Sequence, residues 1–356
     1  MKLAFATFLL TAAKANAFAV SPPGGAGASS TSTSLPATMK AFVLHEAGPA
    51  SNLKLEDVPV PTDIGDDEVL IATKAISINP VDYKCRQMDP VLTMVLKTEE
   101  RPVILGWDVA GIVEKVGSKV DSHKKGDKVF GMVQFVGHGK GYAEYVVAPA
   151  SHVVTMASNQ SFQEAAATTL AALTPLQAME SRVKAGDTVL IHAGSGGTGH
   201  FAIQVAKALG AGKVITTSSA KNKDFCMKMG ADEHIDYRAV KFEEVAKDVD
   251  FVLDGMGGET LERSLKVLKE GSGKVVSLPT PDFPESVTNY AKEHGLTVEF
   301  IMVQSGSKDM TTLRDMTEKG QLKAHVSQTL PFEEMPKAHE QLETGRTVGK
   351  IVLVKE

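Results

Sequence analysis

Two patterns of apolar and polar residues divide the chain. Between residues 39 and 147, short apolar segments follow one another closely, and Gly, Pro or Asp bounds each of them. The pattern predicts strands at 39–48, Leu53–Val60, Asp67–Ser77, Asp108–Val116, Lys128–Met132 and Tyr142–Val147. Closely spaced strands with turn residues between them are typical of a compact, barrel-like β domain.

The middle of the chain alternates between strand and helix patterns. Strands are predicted at Asp187–Ile191, Lys213–Ser218, 234–237, Asp250–Asp254 and Lys274–Leu278. Helices are predicted between them, at Thr198–Leu209, at Lys223–Met229 and from about Glu259. Strands separated by helix-length segments imply parallel pairing through crossovers, with helices on both faces of the sheet. The expected fold class is therefore α/β, with a Rossmann-type, doubly wound parallel sheet beside the β-rich domain.

The C-terminal segment changes back to the first pattern. β-like segments at Lys323–Leu330 and Gly349–Val354 flank a helical segment at Phe332–Glu343. We infer that this segment returns to complete the β domain. The expected domains are thus 39–165 with 305–356 for the β-rich domain, and 166–304 for the nucleotide-binding domain.

A glycine-rich turn joins the first strand and helix of the middle region. Its sequence, HAGSGGTGH at 192–200, has the spacing G-x-G-x-x-G at Gly194, Gly196 and Gly199. In dinucleotide-binding turns the first glycine permits a tight turn, the second lets the backbone approach a pyrophosphate, and the third lets helix pack on strand. The helix N-terminus adds free N–H groups and a partial positive charge. The turn therefore predicts a dinucleotide site at the carboxyl ends of the strands.

The residues about twenty positions past the turn indicate which dinucleotide binds. An NAD-preferring site carries Asp or Glu there, to accept hydrogen bonds from the ribose hydroxyls. This chain has Ser219 instead, followed by Lys223 and, at the end of the next strand, by Tyr237. Donors and positive charge suit a 2′-phosphate, so NADPH is the expected cofactor. The alternative is that the lysine belongs to a solvated helix face.

Composition excludes several classes of protein. The 356 residues are 43% hydrophobic with a formal net charge of −5 and no basic cluster, so neither nucleic acid nor an anionic membrane surface is an evident partner. No apolar run is long enough to span a bilayer, so integral membrane association is not expected. Cys85 and Cys226 are too few for a disulfide framework and lack the spacing of a metal site. A homodimer stays open, because dimers are the commonest homo-oligomers.

Residues 1–38 have the composition of a targeting presequence. Lys2 precedes the apolar stretch Leu3–Ala13, and Ala15-Asn16-Ala17 follows as in a secretory signal with its cleavage site. From Phe18 the chain is rich in Ser, Thr, Ala, Gly and Pro, with no acidic residue before Glu46, as in transit peptides. A signal plus transit peptide with Phe at the junction resembles the bipartite presequences of algae with complex plastids. Plastid localisation is expected, with secretion and mitochondrial import as alternatives.

Several motifs occur in an order that resembles the medium-chain dehydrogenase/reductase superfamily. They are AISINPVDYK (75–84), PVILGWDVAGIVEKVGS (102–118), GDKVFG (126–131), GYAEYVV (141–147), EAAATTLAALTPLQAM (164–179) and GRTVGKIVLV (345–354). Within the superfamily they are similar to the zinc-free quinone oxidoreductase branch, which includes zeta-crystallin-like quinone reductases and plant alkenal, enone and furanone reductases. The resemblance covers 39–356 and implies a GroES-like barrel for the β-rich domain.

The resemblance also bears on metal use. Zinc-dependent members of the superfamily hold catalytic zinc with Cys and His or Glu ligands. This chain has Gly106, Trp107 and Asp108 where those members carry a Gly-His-Glu element, and Asn79–Asp82 where they carry an early Cys. No metal site is therefore expected. Without a Lewis acid, alcohol oxidation is disfavoured, whereas hydride transfer to a quinone or to the C=C bond of an α,β-unsaturated carbonyl demands less of the protein.

The same resemblance implies the site residues. Asn79, Asp82, Tyr83 and Lys84 are the candidate catalytic residues: Tyr83 or Lys84 would donate to the substrate oxygen, while Asn79 and Asp82 would shape the pocket. Asp82 has an alternative role as a turn-stabilising residue after proline. The implied cofactor contacts are Thr174, Gly194, Ser195, Gly196, Gly197, Thr198, Gly199, Ser219, Lys223, Tyr237, Leu278 and Val303. The last two have the alternative role of plain core residues.

The predicted function is NADPH-dependent reduction of a small-molecule electrophile, which is a quinone or an enone or enal. The alternative is a non-catalytic, NADPH-binding structural protein of the zeta-crystallin type. It stays open because the motifs contain no acid–base dyad at a recognisable spacing.

Overall fold

The computed structural model describes residues 35–355. In chain order the strands are β1 (Thr38–Leu44), β2 (Leu53–Pro59), β3 (Glu68–Ser77), β4 (Val103–Ile104), β5 (Asp108–Val116), β6 (Lys128–Met132), β7 (Tyr145–Pro149), β8 (Val153–Thr155), β9 (Thr188–Ile191), β10 (Lys213–Ser218), β11 (Glu233–Asp236), β12 (Phe251–Asp254), β13 (Lys274–Ser277), β14 (Thr297–Phe300), β15 (Val326–Pro331) and β16 (Lys350–Val354). The helices are α1 (Pro80–Gln87), α2 (Asp89–Leu96), α3 (Phe162–Met179), α4 (Gly197–Ala208), α5 (Lys223–Lys228), α6 (Phe242–Val245), α7 (Glu259–Leu265), α8 (Glu285–Glu293), α9 (Ser307–Glu318) and α10 (Met335–Glu343).

The nucleotide-binding half is built on a parallel sheet with the strand order β11-β10-β9-β12-β13-β14. The strands are short and apolar because helices cover both faces, as Val189, Leu190 and Ile191 of β9 show by being fully buried. The chain order reverses between β9 and β12, and ligands of such sheets bind at the carboxyl ends beside that reversal. The Rossmann-type sheet predicted from the sequence is confirmed.

The β-rich half is a second sheet with the strand order β15-β16-β3-β5-β6-β8, and β7 also pairs with β3. The C-terminal strand β16 pairs antiparallel with β3, with Val352 opposite Ser77. This pairing joins the end of the chain to the β-rich sheet. Several boundaries differ from expectation, and the strand predicted at 39–48 already ends at Leu44. β1 begins at Thr38, the last residue of the 1–38 segment, and β7 begins at Tyr145 rather than Tyr142.

The physical reason for the later start of β7 lies in the backbone of Tyr142. Its N–H donates to the Leu105 carbonyl at 2.9 Å, and its own carbonyl accepts from the Phe42 N–H at 2.9 Å. Tyr142 therefore bonds with residues from the β1–β4 region, and contact with β3 begins only at Glu144, whose carbonyl accepts the Thr73 N–H at 2.9 Å.

The sequence pattern did not predict α3, although it contains one of the family-like motifs. This helix is rich in alanine and leucine and is buried on nearly all sides, so it lacks the one-sided apolar stripe of a surface helix. Ser161 and Glu164 form a capping box that starts it.

The predicted presequence falls almost entirely on residues 1–34, which lie outside the described residues. Across 35–355, no helix combines the length and the apolar character needed to cross a membrane.

Candidate active site

The glycine-rich turn leads from β9 into α4, and two of its glycines make tight contacts. A Cβ on Gly194 would lie 1.9 Å from Thr216 Oγ1, and a Cβ on Gly199 would lie 2.2 Å from the Ala193 carbonyl oxygen. These glycines are therefore required for the close packing of the turn on β10 and of α4 on the turn. The left-handed residue is Ala193, with φ of 55°, so the turn's reversal does not depend on a glycine.

The N-terminus of α4 presents backbone donors. The first helical hydrogen bond runs from the His200 N–H to the Gly196 carbonyl, so the N–H groups of Gly197, Thr198 and Gly199 precede the helical ladder. A Cβ on Gly196 would approach only the Ala193 carbonyl oxygen, at 3.2 Å. Free N–H groups beside an open glycine at a helix N-terminus fit the diphosphate of a dinucleotide.

The two histidines that flank the turn are structural. The His325 N–H donates to His200 Nε2 at 3.2 Å, so the proton of the neutral ring sits on Nδ1 and is donated to the Gly196 carbonyl. His192 contacts Thr217 Oγ1 at 3.1 Å and Ser264 Oγ at 2.9 Å. Burial lowers the pKa of each ring to about 4, so both are neutral near pH 7.

The residues assigned to the 2′-phosphate lie along one edge of the parallel sheet. Ser219 follows β10 and is buried, Lys223 begins α5 and is exposed, and Tyr237 follows β11. The Tyr237 N–H donates to the Ser218 carbonyl, which brings the two strand ends together. Sequence reasoning missed Arg238, whose guanidinium lies 5.6 Å from the Tyr237 ring and adds a second cation at this edge.

A buried network surrounds Asn79, the residue that caps α1. The Asn79 Nδ2 group donates to Asp108 Oδ2 at 2.7 Å, and Asn79 Oδ1 accepts a hydrogen bond from Lys350 Nζ. Lys350 Nζ also donates to the Ile78 carbonyl at 2.9 Å. Sequence reasoning did not assign Lys350 or Asp108 to the site. The available signal was a lysine at the start of the otherwise apolar strand KIVLV.

Asp82 lies in the same network and helps to start α1. Its Oδ2 accepts the Asn79 N–H, which completes a capping box at the N-terminus of α1. Burial raises its pKa to about 7, and the negative charge of Asp108 adds to this. The pKa of Asp108 is also raised by burial, while Lys350 and the Asn79 amide oppose the shift.

A chain of hydrogen bonds joins Arg86 of α1 to Tyr142 through His339 of α10. Arg86 Nε donates to His339 Nδ1 at 3.3 Å, so the ring proton sits on Nε2 and is donated to the Tyr142 hydroxyl at 2.9 Å. The Tyr142 hydroxyl in turn faces the Asp82 carboxyl and lowers its pKa. Because an arginine supplies no proton, this chain orients donors and does not conduct protons.

The other catalytic candidates lie on a different face of α1. Tyr83 and Lys84 are partly exposed, whereas Asp82, Cys85 and Arg86 are buried. Burial and the nearby charge of Glu343, at the end of α10, raise the pKa of Tyr83. The structure thus groups Asn79 with Asp82 and sets Tyr83 apart from them.

The remaining cofactor candidates lie at the junction of the two sheets. Thr174 is in the middle of α3 and donates to the Leu170 carbonyl at 2.8 Å. Leu278 follows β13, and Val303 follows β14. Val303 belongs to the large core cluster that also contains residues of α3, and Leu278 packs against that cluster.

Trp107 and Asp108 are the residues that the resemblance aligns with a zinc-ligand element, and both side chains make other interactions. The Trp107 indole is buried, donates to the Gly137 carbonyl at 2.8 Å and packs edge-on against Phe135. Both oxygens of Asp108 accept hydrogen bonds, from the Asn79 amide and from the Leu170 N–H. Within residues 35–355, no three His, Cys, Asp or Glu side chains are grouped as metal ligands.

Comparison with known proteins gives two family models. The model described as alcohol dehydrogenase GroES-like domain matches residues 65–158, and the one described as zinc-binding dehydrogenase matches residues 229–353. The chain is 35% identical to 2-methylene-furan-3-one reductase of Solanum lycopersicum, over 94% of this chain and 83% of that protein. It is 33% identical to the chloroplastic NADPH-dependent alkenal/one oxidoreductase of Arabidopsis thaliana, over 90% of this chain and 80% of that protein.

A solved structure is similar over the same range. The quinone oxidoreductase from Coxiella burnetii superposes with a TM-score of 0.83 and 37% sequence identity, covering 90% of this chain and all of that one. The resemblance drawn from the sequence motifs is therefore confirmed: the chain belongs to the medium-chain dehydrogenase/reductase superfamily, in its branch of quinone oxidoreductases and alkenal or enone reductases.

Proposed function

We propose that this protein transfers hydride from NADPH to the C=C bond of an α,β-unsaturated carbonyl or to a quinone, without zinc. Its family membership makes it an NADPH-dependent reductase. Two points are proposed beyond this membership: the chemical class of the hydride acceptor and the independence from zinc. The observation that carries them is the engagement of Trp107 and Asp108, which leaves neither of these two side chains free to hold a metal.

The described residues fit NADPH at two points. The free N–H groups at the start of α4, beside the open face of Gly196, suit the diphosphate. Ser219, Lys223 and Tyr237 supply hydroxyls and a positive charge where an NAD-preferring site carries a carboxylate. When bound, NADPH supplies the hydride.

The side chains around Asn79 determine what the protein adds to the transfer. Electron-poor acceptors develop negative charge on oxygen as hydride arrives, and a few fixed donors are enough to stabilise it. We assign this donor role to Tyr83 or Lys84, on the accessible side of α1. Asn79 and Asp82 shape the pocket through the network that joins them to Asp108.

The experiment that tests the proposed function is product analysis with the purified protein. The protein is incubated with NADPH and one enone, and the products of C=C and C=O reduction are separated; a quinone panel follows. Saturated ketone or hydroquinone, formed without zinc detectable by elemental analysis and with full activity in chelator, is the expected result. Allylic alcohol as the main product, stoichiometric zinc lost together with activity, or NADPH binding without turnover on the whole panel would each contradict the proposal.

We further propose that the reductase works in a plastid, where reactive carbonyls and quinones are its substrates. The composition of residues 1–38 supports this. A reporter fused to residues 1–38 should reach the plastid of an alga with complex plastids, and replacement of Phe18 should impair the import. Secretion of the reporter, or its import into mitochondria, would contradict the localisation.

A further inference from the structure

Lys350 connects the dinucleotide turn to Asn79 through a single buried side chain. Its Cδ lies 3.1 Å from the position that a Cβ on Gly197 would take, so the aliphatic stem runs beneath the start of α4. Its Nζ donates to the Ile78 carbonyl and to Asn79 Oδ1. The preceding residue is anchored as well, because the Gly349 N–H donates to the Ser195 carbonyl at 2.9 Å.

The charge of Lys350 faces two buried carboxylates. Asp82 on α1 and Asp108 on β5 are both fully buried, and Lys350 lowers the pKa of each. His200 on α4 is the other titratable group that it faces, and His200 is neutral near pH 7. Burial lowers the pKa of Lys350 itself, and the charges of Asp108 and Asp82 oppose that shift. Lys350 is therefore the cation that offsets this pair of acids, and a buried charge left without its partner is strongly destabilising.

The same lysine fixes the orientation of the Asn79 amide. An ammonium group only donates and a carboxylate only accepts, so Oδ1 must face Lys350 and Nδ2 must face Asp108. Nδ2 carries two hydrogens, and Asp108 takes one of them. Among residues 35–355, Nδ2 makes no second hydrogen bond.

We propose that Lys350 is a positioning residue of the active site, which locks the Asn79 amide with one N–H available to a substrate oxygen and balances the charge of Asp82 and Asp108. The inference rests on the proposed function for its catalytic part. Its structural part stands on the hydrogen bonds and on burial alone.

Two variants separate the role of the Lys350 ammonium from the role of its aliphatic stem. Lys350→Met keeps an atom at the Cδ position beneath Gly197 but removes the ammonium, whereas Lys350→Ala removes both. Lys350→Met should lower kcat about tenfold or more, because misplaced groups near the reacting atoms cost up to about a hundredfold, and leave the NADPH dissociation constant within about threefold, roughly 0.65 kcal/mol by the cited conversion. Lys350→Ala should also weaken NADPH binding. Quenching of Trp107, the sole tryptophan of the chain, reports the binding without turnover.

The matched control is Lys355→Met, which removes an ammonium from a partly exposed lysine near the same strand. Its kcat and its NADPH affinity should equal those of the unmodified protein. Equal losses in Lys350→Met and Lys355→Met, or a loss of NADPH affinity in Lys350→Met as large as in Lys350→Ala, would overturn the positioning role.

The charge role is tested on the protein without cofactor or substrate, so it does not depend on the proposed function. The loss of unfolding free energy in Lys350→Met should be larger at pH 8 than at pH 5.5, because protonated carboxyls need no counter-ion. The substitution Asp82→Asn should raise the unfolding free energy more when it is made in Lys350→Met than when it is made in the unmodified protein. A loss that is the same at both pH values, with no such difference in the double variant, would overturn the charge role. So would failure of both Lys350→Met and the double variant to fold at pH 5.5.

Discussion

The carboxylate of Asp108 accepts the backbone N–H of Leu170 at 3.1 Å, at the residue where α3 changes direction. Thr169 has non-helical dihedrals there, with ψ of −109°. A regular helix would join the Leu170 N–H to the Ala166 carbonyl, but the Thr169 hydroxyl donates to that carbonyl instead, at 2.7 Å. The Leu170 N–H and the Ala166 carbonyl, which would bond to each other in a regular helix, thus each bond to a side chain. The bend in α3 therefore lies next to Asp108, the residue that also accepts the Asn79 amide.

Removal of the Asp108 carboxylate should destabilise the protein. Asp108→Ala leaves the buried Leu170 N–H and the Asn79 amide without an acceptor, and each such group costs about 1–3 kcal/mol. Asp108→Asn retains one acceptor oxygen and should lose less. Denaturant unfolding of the unmodified protein, Asp108→Asn and Asp108→Ala should give unfolding free energies that decrease in that order. An Asp108→Ala protein as stable as the unmodified one would show that the bend is held by packing alone.

The sequence predicts well those elements whose pattern is local. The strand at Lys213–Ser218 agrees with β10 residue for residue, because a strand buried on both faces is a continuous apolar and β-branched segment. The glycine-rich turn is also local, so its place between β9 and α4 follows from the spacing of Gly194 and Gly199.

The network around Asn79 depends on contacts that no local pattern encodes. Lys350 reaches Asn79 only because β16 pairs with β3 in one register, with Val352 opposite Ser77. Register is set by the packing of whole faces, so it cannot be read from the six-residue segment around Lys350. The surroundings of Tyr83 are equally non-local, because its pKa is raised by burial and by the charge of Glu343, which lies at the end of α10.

The preference for NADPH should depend on Lys223. Lys223→Ala should raise the KM for NADPH about tenfold or more, since a charge-assisted hydrogen bond contributes roughly 1.5–3 kcal/mol, and leave the KM for NADH little changed. Lys228→Ala, at the other end of α5, is the control for loss of an exposed lysine on the same helix. Equal losses with NADPH and NADH would assign Lys223 to the solvated face of α5.

Stability should depend on pH through Asp82. Its pKa is about 7 in the folded protein against an ordinary 3.8, so the folded state holds a proton that the unfolded state releases. Its contribution therefore favours folding below about pH 4 and declines as the pH rises from there to 7, by at most about 1.4 kcal/mol per pH unit for one proton.

The buried histidines act in the opposite direction. His192, His200 and His339 have pKa values of about 4, 4 and 3, so stability also declines as the pH falls below 6.5. Comparison of Asp82→Asn with the unmodified protein isolates the aspartate, because both retain the histidines. The variant should gain on the unmodified protein as the pH rises from 4 to 7. Parallel curves across that range would show that Asp82 is ionised throughout.

Tyr83 and Lys84 should assist the reaction without being indispensable. Loss of one donor to a developing oxyanion costs up to about 10²–10³ in rate where the enzyme depends on it most. An electron-poor acceptor needs less help, and Tyr83 is only partly buried, beside Glu343. Tyr83→Phe and Lys84→Ala should therefore each keep kcat within about tenfold to a hundredfold of the unmodified protein. Lys54→Ala, on the exposed side of β2, is the matched control for loss of a lysine.

The isotope effect decides whether hydride transfer is the step that these residues assist. NADPH deuterated at the transferred position should give a primary effect on kcat wherever transfer limits turnover, and the effect should be at least as large in Tyr83→Phe and Lys84→Ala. A slower transfer step becomes more fully rate-limiting, so its isotope effect is expressed more completely. Complete loss of activity in either folded variant, with the binding of NADPH and of the acceptor both unchanged, would instead indicate a dedicated general acid, because loss of an obligatory proton donor stops the reaction without weakening either binding step.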